Sequence, residues 1–305
     1  STSTGGGRRL LSGFSRSLLP ELFQKTILAT ILCLCSTLAI AAHRTEEWLF
    51  QNWQGPALPN RMVVPAEATA NSPVVIVMHG ASRDATRYFD DWRALGATHN
   101  LVVVVPEFST EDFRRSTRYN LGHVFDSSGG KRRDEDKWTF SAIEPLFDDV
   151  VQRIGGQHQR YSIYGHSAGS QFVHRVMYFK PDARVNSFLA ANAGWYTLPV
   201  EDFEFPYGLR KSGIDEAEVP RILAQPLTLL LGREDDDPES PKLRKTPEAS
   251  QQGPNRLARG LTMYRVAKAR AEELGVPFNW KLLVVKDADH DNAKMAPVAA
   301  ALVGS

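Results

Sequence analysis

The stretch Tyr161-Ser-Ile-Tyr-Gly165-His166-Ser167-Ala168-Gly169 constrains this chain more than any other. A short apolar run leads into Gly-x-Ser-x-Gly, and a helix-compatible segment beginning Ser170-Gln-Phe-Val follows. Strand, sharp turn and helix in that order push a serine hydroxyl out at the edge of a sheet, in a strained backbone conformation. Gly165 and Gly169 leave room for the turn to pass its neighbours. The amide of Ala168, at the helix start, is placed to donate to an oxyanion. Gly-x-Ser-x-Gly by itself recurs by chance, and a serine there can equally cap a helix. The flanking strand and helix are what favour a nucleophile.

The rest of the chain has the alternation such a turn requires. Val74–Met78, Leu101–Val105, Tyr161–Tyr164, Val185–Ala190, Leu227–Leu231 and Trp280–Val285 read as short strands, several nearly all apolar. Strands covered on both faces have that composition. Asp84–Gly96, Ser141–Ile154, Ala168–Phe179, Pro254–Leu274 and Asp291–Leu302 read as helices. In the fourth, Leu257, Leu261, Tyr264, Ala267, Ala271 and Leu274 form a stripe at helical spacing. Arg61–Val64 reads as an additional edge strand. The fold class is α/β, with a mostly parallel central sheet flanked by helices. No repeat and no linker divides residues 42–305, so one domain is expected there.

Two long irregular stretches, Glu107–Thr139 and Trp195–Pro220, each follow a strand. That places both at the carboxyl edge of a parallel sheet, where open α/β folds bind ligands. They carry Phe108, Phe113, Tyr119, Phe125, Trp138, Trp195, Tyr196, Phe203, Phe205 and Tyr207. Some of these rings must fix the loops; the others suggest a cleft suited to an aryl or polymeric ligand.

Thr26–Ala42 contains no charge and follows Arg8, Arg9, Arg16 and Lys25. Basic flank, apolar stretch and then Ala39-Ile40-Ala41 is the layout of a secretory signal peptide, with cleavage expected near Ala41. An uncleaved membrane anchor or a buried helix is the alternative. Residues 1–41 are thus read as a signal peptide or N-terminal anchor, and residues 42–305 as the folded domain. The formal charge of +1 for the whole chain becomes −2 for the remainder, which also loses Cys33 and Cys35. Thiol catalysis and disulfides are then excluded from the mature chain, which is expected to be secreted or periplasmic. A near-zero charge provides no global field for nucleic acid. Lys131-Arg132-Arg133 is offset by Asp134, Glu135 and Asp136 and reads as a solvated loop. There is no His-Glu-x-x-His, no phosphate-binding loop and no dinucleotide glycine pattern.

Around Ser167 the chain resembles the α/β-hydrolase superfamily, over roughly residues 60–303. Within it the sequence looks most like secreted esterases of the polyhydroxyalkanoate-depolymerase and feruloyl-esterase type. Three further stretches match that pattern in order. Val74-Val-Ile-Val-Met-His79-Gly80-Ala81-Ser82 ends a strand with the His-Gly that precedes the family's oxyanion loop. The resemblance implies that the amide of Ala81 is the second oxyanion donor, although a single glycine after His79 leaves a neighbouring residue open. His79 itself reads as structural. Leu227-Thr-Leu-Leu-Leu-Gly232-Arg233-Glu234-Asp235 resembles the family's strand followed by Gly-x-x-Asp. Asp235 is the spacing match for the carboxylate that orients a catalytic imidazole, with Asp237 as its rival. Trp280–His290 ends in a histidine after a strand and short turn, where the family places its catalytic histidine.

His290 follows both nucleophile and acid, completing the order Ser…Asp…His. His166 lies inside the elbow and is expected to point off the wrong side of the turn. Asp287, Asp289 and Asp291 look like a metal cluster but read as turn residues. The expectation is a serine hydrolase of the carboxylic ester type, with Ser167, Asp235 and His290 as triad and the amides of Ala81 and Ala168 as oxyanion hole. It needs no cofactor and no metal. Its partner is a small-molecule or polymeric ester, with no nucleic acid, and a membrane only through an uncleaved N-terminal segment. An amide hydrolase with the same triad, and a non-catalytic binding protein on this fold, are the rivals.

Overall fold

Runs rich in valine, leucine and isoleucine assemble into one eight-stranded sheet in the computed structural model, which describes residues 43–127 and 130–305. The apolar segment Thr26–Ala42, with both cysteines and the cleavage site near Ala41, lies outside the described residues. The strands are β1 (Arg44–Phe50), β2 (Leu58–Val64), β3 (Val74–Met78), β4 (Val102–Pro106), β5 (Tyr161–His166), β6 (Val185–Ala191), β7 (Leu227–Gly232) and β8 (Lys281–Val285). Their spatial order is β1-β2-β4-β3-β5-β6-β7-β8. β1 pairs with β2, and β2 with β4, antiparallel. Every pairing from β4 through β8 is parallel.

Strand periodicity divides the core into two layers. Val74, Ile76 and Met78 of β3 face one layer, and Val75 and Val77 face the other. The helices are α1 (Ala85–His99), α2 (Arg115–Arg118), α3 (Ile143–Ile154), α4 (Ala168–Phe179), α5 (Val219–Leu223), α6 (Pro247–Gln252), α7 (Arg256–Leu274) and α8 (Asn292–Val303). Phe147, Phe172, Val176, Met263 and Ala267 bring α3, α4 and α7 to the first layer. Tyr88, Trp92, Met295 and Ala299 bring α1 and α8 to the second. β3, β4, β5 and β7 are buried at every residue, which is why each reads as a nearly continuous apolar run. Among the described residues no helix is long and apolar enough to cross a membrane.

Three features differ from the sequence reading. Arg61–Val64 belongs to a longer strand and is not at the edge, because β1 pairs outside it. β1 itself is a half-exposed edge whose apolar residues are confined to Trp48-Leu49-Phe50 after a polar half, so it lacks a strand-length apolar run. On α7 the inward face consists of Arg256, Arg259, Gly260, Met263, Ala267 and Ala271, whereas Leu261 is 42% exposed. Hydropathy missed that face because two of its members are arginines that serve loop carbonyls rather than apolar neighbours.

The turn between β5 and α4 depends on close backbone contact. A Cβ at Gly165 would lie 2.2 Å from the Gly169 carbonyl carbon, and one at Gly169 would lie 2.1 Å from the Met78 carbonyl oxygen. Both obstacles are main chain, so neither can rotate aside. The start of α4 is thereby pressed against the carboxyl end of β3. Gly169→Ala is expected to destabilise the fold by about 3 kcal/mol, as overpacking against rigid neighbours does. Urea unfolding of the purified variant measures it, and a loss well under 1 kcal/mol would contradict this packing.

Candidate active site

Ser167 links β5 to α4 with φ 58° and ψ −115°, a conformation that L-residues rarely adopt. His290 sits on the turn after β8, one residue before Asp291, which caps α8. Its Nε2 is 3.0 Å from Ser167 Oγ, and its Nδ1 is 2.7 Å from Asp235 Oδ2. A carboxylate can only accept, so Nδ1 carries the proton and Nε2 is left to accept from the serine hydroxyl. Asp235 follows β7 and is 4% exposed. Its second oxygen accepts from Arg256 Nη1 of α7 at 3.2 Å. Asp237 is exposed and instead caps its own turn, accepting from the Glu239 amide at 2.8 Å. The carboxylate within reach of His290 is therefore Asp235.

The three side chains sit on three separate turns, and the backbone holds those turns together. Asn192, after β6, accepts from the Gly232 amide at 2.7 Å and donates to the Asp289 carbonyl at 3.0 Å. The amides of Arg233 and Glu234 donate to the carbonyls of Val285 and Ala288. The acid turn and the histidine turn thus form one hydrogen-bonded unit beside the serine. Asp289 pairs with Lys294 and Asp291 with Arg87. Among the described residues no group of three or more histidine, cysteine, aspartate or glutamate side chains is placed to hold a metal ion.

Ala81 and Ala168 both line the cleft with Ser167. Neither backbone N–H has a protein acceptor among the described residues, so both are available to a developing oxyanion. A Cβ at Gly80 would lie 3.6 Å from that of Ser167, which shows how closely this loop approaches the nucleophile. His79 supports the loop from beneath. Its Nε2 accepts from the Phe108 amide at 3.0 Å, and its Nδ1 donates to the Gly80 carbonyl at 3.1 Å. Complete burial pushes its pKa down to about 3. Arg83, at φ 59°, donates to the Phe108 and Phe113 carbonyls and stacks 4.0 Å over Tyr119.

His166 does not point away from the site. Its ring lies 4.7 Å from that of His290, and its Nδ1 is 2.9 Å from the buried Tyr88 hydroxyl. Burial, and then proximity to His290, hold its pKa well below the usual imidazole range. His174, also buried and likewise held neutral, accepts from the Thr197 amide and contacts the Ser170 carbonyl.

The cleft has a volume of about 470 Å³. Of the ten aromatic residues in the long loops, only Trp195 lines it. The others pack into the core or against one another, as Phe108 does on Phe113 and Phe125 on Phe205, because loops of this length need apolar anchors of their own. The lining is instead cationic, with Arg87, Lys242, Arg244 and Arg256 and, among the described residues, no carboxylate. Arg87 pairs with Asp291 and Arg256 with Asp235. Arg244 donates to the Tyr207 hydroxyl at 2.7 Å, and it and Lys242 make no ion pair among the described residues. The loop that presents them is anchored by α7: Arg256 donates to the Pro241 carbonyl and Arg259 to that of Arg244.

Tyr88, Arg256, Lys242 and Arg244 were not singled out from the sequence. Tyr88 lies 78 residues from His166, and Arg256 lies 21 from Asp235, so no local pattern connects them. Lys242 and Arg244 stand within the highly charged run after β7, where basic residues look like any solvated surface.

A mostly parallel sheet with such an elbow at its carboxyl edge is the architecture of α/β-hydrolases. No protein-family profile matches the chain, and none of the curated proteins matches it either. Solved structures do. A poly(aspartic acid) hydrolase-1 from Sphingomonas sp. KT-1 is 41% identical with a TM-score of 0.83, covering 86% of this chain and 98% of that one. LpqC, a poly(3-hydroxybutyrate) depolymerase from Bordetella parapertussis, is 35% identical with a TM-score of 0.79, covering 86% and 89%. An S-formylglutathione hydrolase from Agrobacterium tumefaciens, at 14% identity and a TM-score of 0.57 over 86% and 94%, shares the fold alone. The chain belongs to the α/β-hydrolase superfamily and is a hydrolase.

Asp235→Asn is expected to lower kcat by about ten-thousand-fold, through loss of the correct imidazole tautomer. Asp237→Asn is expected to stay within about threefold of wild type, since an exposed side chain away from the site contributes little. Steady-state kinetics on an activated ester compares them, and an equal loss in both would refute the assignment of Asp235. A second expectation concerns acid. His79 is neutral in the folded state down to about pH 3 but protonates near 6.5 when unfolded. The unfolded chain therefore binds more protons below pH 6.5, and stability falls as pH falls through that window. His166 and His174 act in the same direction. Urea midpoints should already decline between about pH 7 and 5, above the carboxylate range; constancy there would contradict neutral burial.

Proposed function

We propose that this chain is a serine hydrolase that cleaves carbonyl-linked chains bearing anionic side groups, through an acyl-enzyme on Ser167. His290 Nε2 takes the proton from Ser167 Oγ as that oxygen attacks the substrate carbonyl. Asp235 holds the imidazole and stabilises the imidazolium. The tetrahedral oxyanion is met by the amides of Ala81 and Ala168. Collapse breaks the bond to the leaving group, which takes its proton from His290. Water activated by His290 then hydrolyses the acyl-enzyme and restores the serine.

The observation that carries the substrate class is the cleft wall. Among the described residues Lys242 and Arg244 line it without ion-pair partners and no carboxylate does. Such a wall attracts anions and repels cations. The relative named as a poly(aspartic acid) hydrolase supports the same reading. That polymer carries one carboxylate per unit and is joined by amides, so amide cleavage stands ahead of the ester expected from sequence. A neutral polyester is the second reading, favoured by the relative named as a poly(3-hydroxybutyrate) depolymerase. A large substrate chain fits an exported enzyme, and residues 1–41, with their basic flank and apolar run, support secretion or a periplasmic location.

The test compares sodium poly(aspartate) with poly(3-hydroxybutyrate) oligomers, following chain length by size-exclusion chromatography. Poly(aspartate) should be shortened, and more slowly at high salt, which screens the exposed cations. Ser167→Ala should lose about a million-fold in rate. Cleavage of the polyester alone would return the ester reading to first place, and full activity in Ser167→Ala would remove the triad.

A further inference from the structure

Behind the cleft wall lies a second positive charge that the mechanism above does not use. Arg175, on α4 two turns after Ser167, has no exposed surface. It makes no ion pair among the described residues. Its Nε donates to Thr197 Oγ1 at 2.8 Å, and Nη1 donates to the carbonyls of Asn120 and Gln171, each at 3.1 Å. Nη2 is buried with no hydrogen-bond partner among the described residues. Burial draws its pKa down to about 9, which still leaves it charged at neutral pH. A buried cation without a counter-ion is costly, and an anion brought close to it would lower that cost.

Three of the residues that Arg175 touches, Asn120, Gln171 and Trp195, line the cleft, whereas Thr197 does not. Asn120 and Gln171, whose carbonyls it holds, line the wall with their side chains, and Asn120 Nδ2 donates to Gln171 Oε1 at 2.7 Å. That bond occupies the oxygen of Gln171 and leaves its amide N–H groups to donate. The Trp195 indole also lines the cleft, and two guanidinium groups stack on it: Arg175 Cζ at 4.4 Å and Arg244 Cζ at 4.7 Å from the ring centre. Tyr207 packs 4.9 Å from the same indole and accepts from Arg244 Nε. One aromatic ring thus contacts a half-buried cation in the cleft wall and a sealed cation behind it. A neutral donor would suffice to pin Thr197 and Asn120; a permanent charge adds an electrostatic preference.

We propose that Arg175 is a specificity-determining positioning residue, whose sealed charge beneath Asn120, Gln171 and Trp195 selects a carboxylate-bearing chain on that side of Ser167. The proposal rests on the anionic-substrate reading. Because the charge is shielded from solvent ions, its share of the selectivity persists at high salt, whereas the share from Lys242 and Arg244 is screened.

The test uses two activated esters with one leaving group, p-nitrophenyl hydrogen succinate and p-nitrophenyl butyrate, on the full-length enzyme. Wild type should favour the succinate ester in kcat/KM, and part of that preference should survive high salt. Arg175→Met should reduce the succinate-to-butyrate ratio about tenfold, chiefly through KM for succinate, and abolish the salt-resistant part. Arg175→Lys should restore most of it. A wild-type enzyme without preference for succinate would overturn the anionic-substrate reading. A preference that Arg244→Gln reduces but Arg175→Met leaves intact would overturn only the role of Arg175. Should Arg175→Met fail to fold, Trp195→Leu breaks the stack from the cleft side and should also remove the salt-resistant preference; its persistence there counts against the proposal.

Discussion

Ser167 is held in a backbone conformation that costs on the order of 1–3 kcal/mol, and the site exists only because its neighbours enforce it. The enforcement is steric and bonded together. Gly165 and Gly169 let α4 start in contact with β3, and the Ser167 amide donates to the Ala191 carbonyl of β6 at 2.9 Å. Three adjacent parallel strands thereby converge on one residue. The loop after β3, the Asn192 bridge after β6 and the Asp235 turn after β7 lie at this same edge, where His290 joins Asp235 to the Ser167 hydroxyl. Chemistry is concentrated at this edge because parallel strands all end there.

What the sequence revealed follows from how local each signal is. The elbow carries its information within nine residues, and β3, β5 and β7 announce themselves as apolar runs, so these strands and the strand-to-helix turn at Ser167 were legible, though the spatial order of the strands was not. The acid and histidine were legible because each sits a few residues beyond a recognisable strand. β1 was not, because an exposed edge strand needs no apolar run. Nor was the inner face of α7, where Arg256 and Arg259 replace apolar residues. His166 was misjudged because the elbow sets where the serine points but leaves its neighbour to be placed by Tyr88, a contact from a distant helix.

The character of the cleft was the least legible property. Aromatic residues crowd the two long loops, and composition alone suggests an aryl-binding surface. Nearly all of those rings anchor the loops, leaving the wall to residues from a short charged segment after β7 and to polar groups of α4. Burial sorts residues by the side of the loop they face, and irregular loops have no period from which that side can be read.

Arg256 gives this arrangement a further property. One guanidinium holds the carboxylate behind His290 and also the Ser240 hydroxyl and the Pro241 carbonyl of the loop that displays Lys242 and Arg244. The loop that displays Lys242 and Arg244 and the carboxylate bonded to His290 therefore share a single fastening. A change of loop length or sequence that altered the grip of Arg256 would register in turnover as well as in selectivity. Variation at this rim is accordingly channelled toward substitutions that leave the loop backbone in place, and new preferences are reached by exchanging side chains rather than by rebuilding the loop.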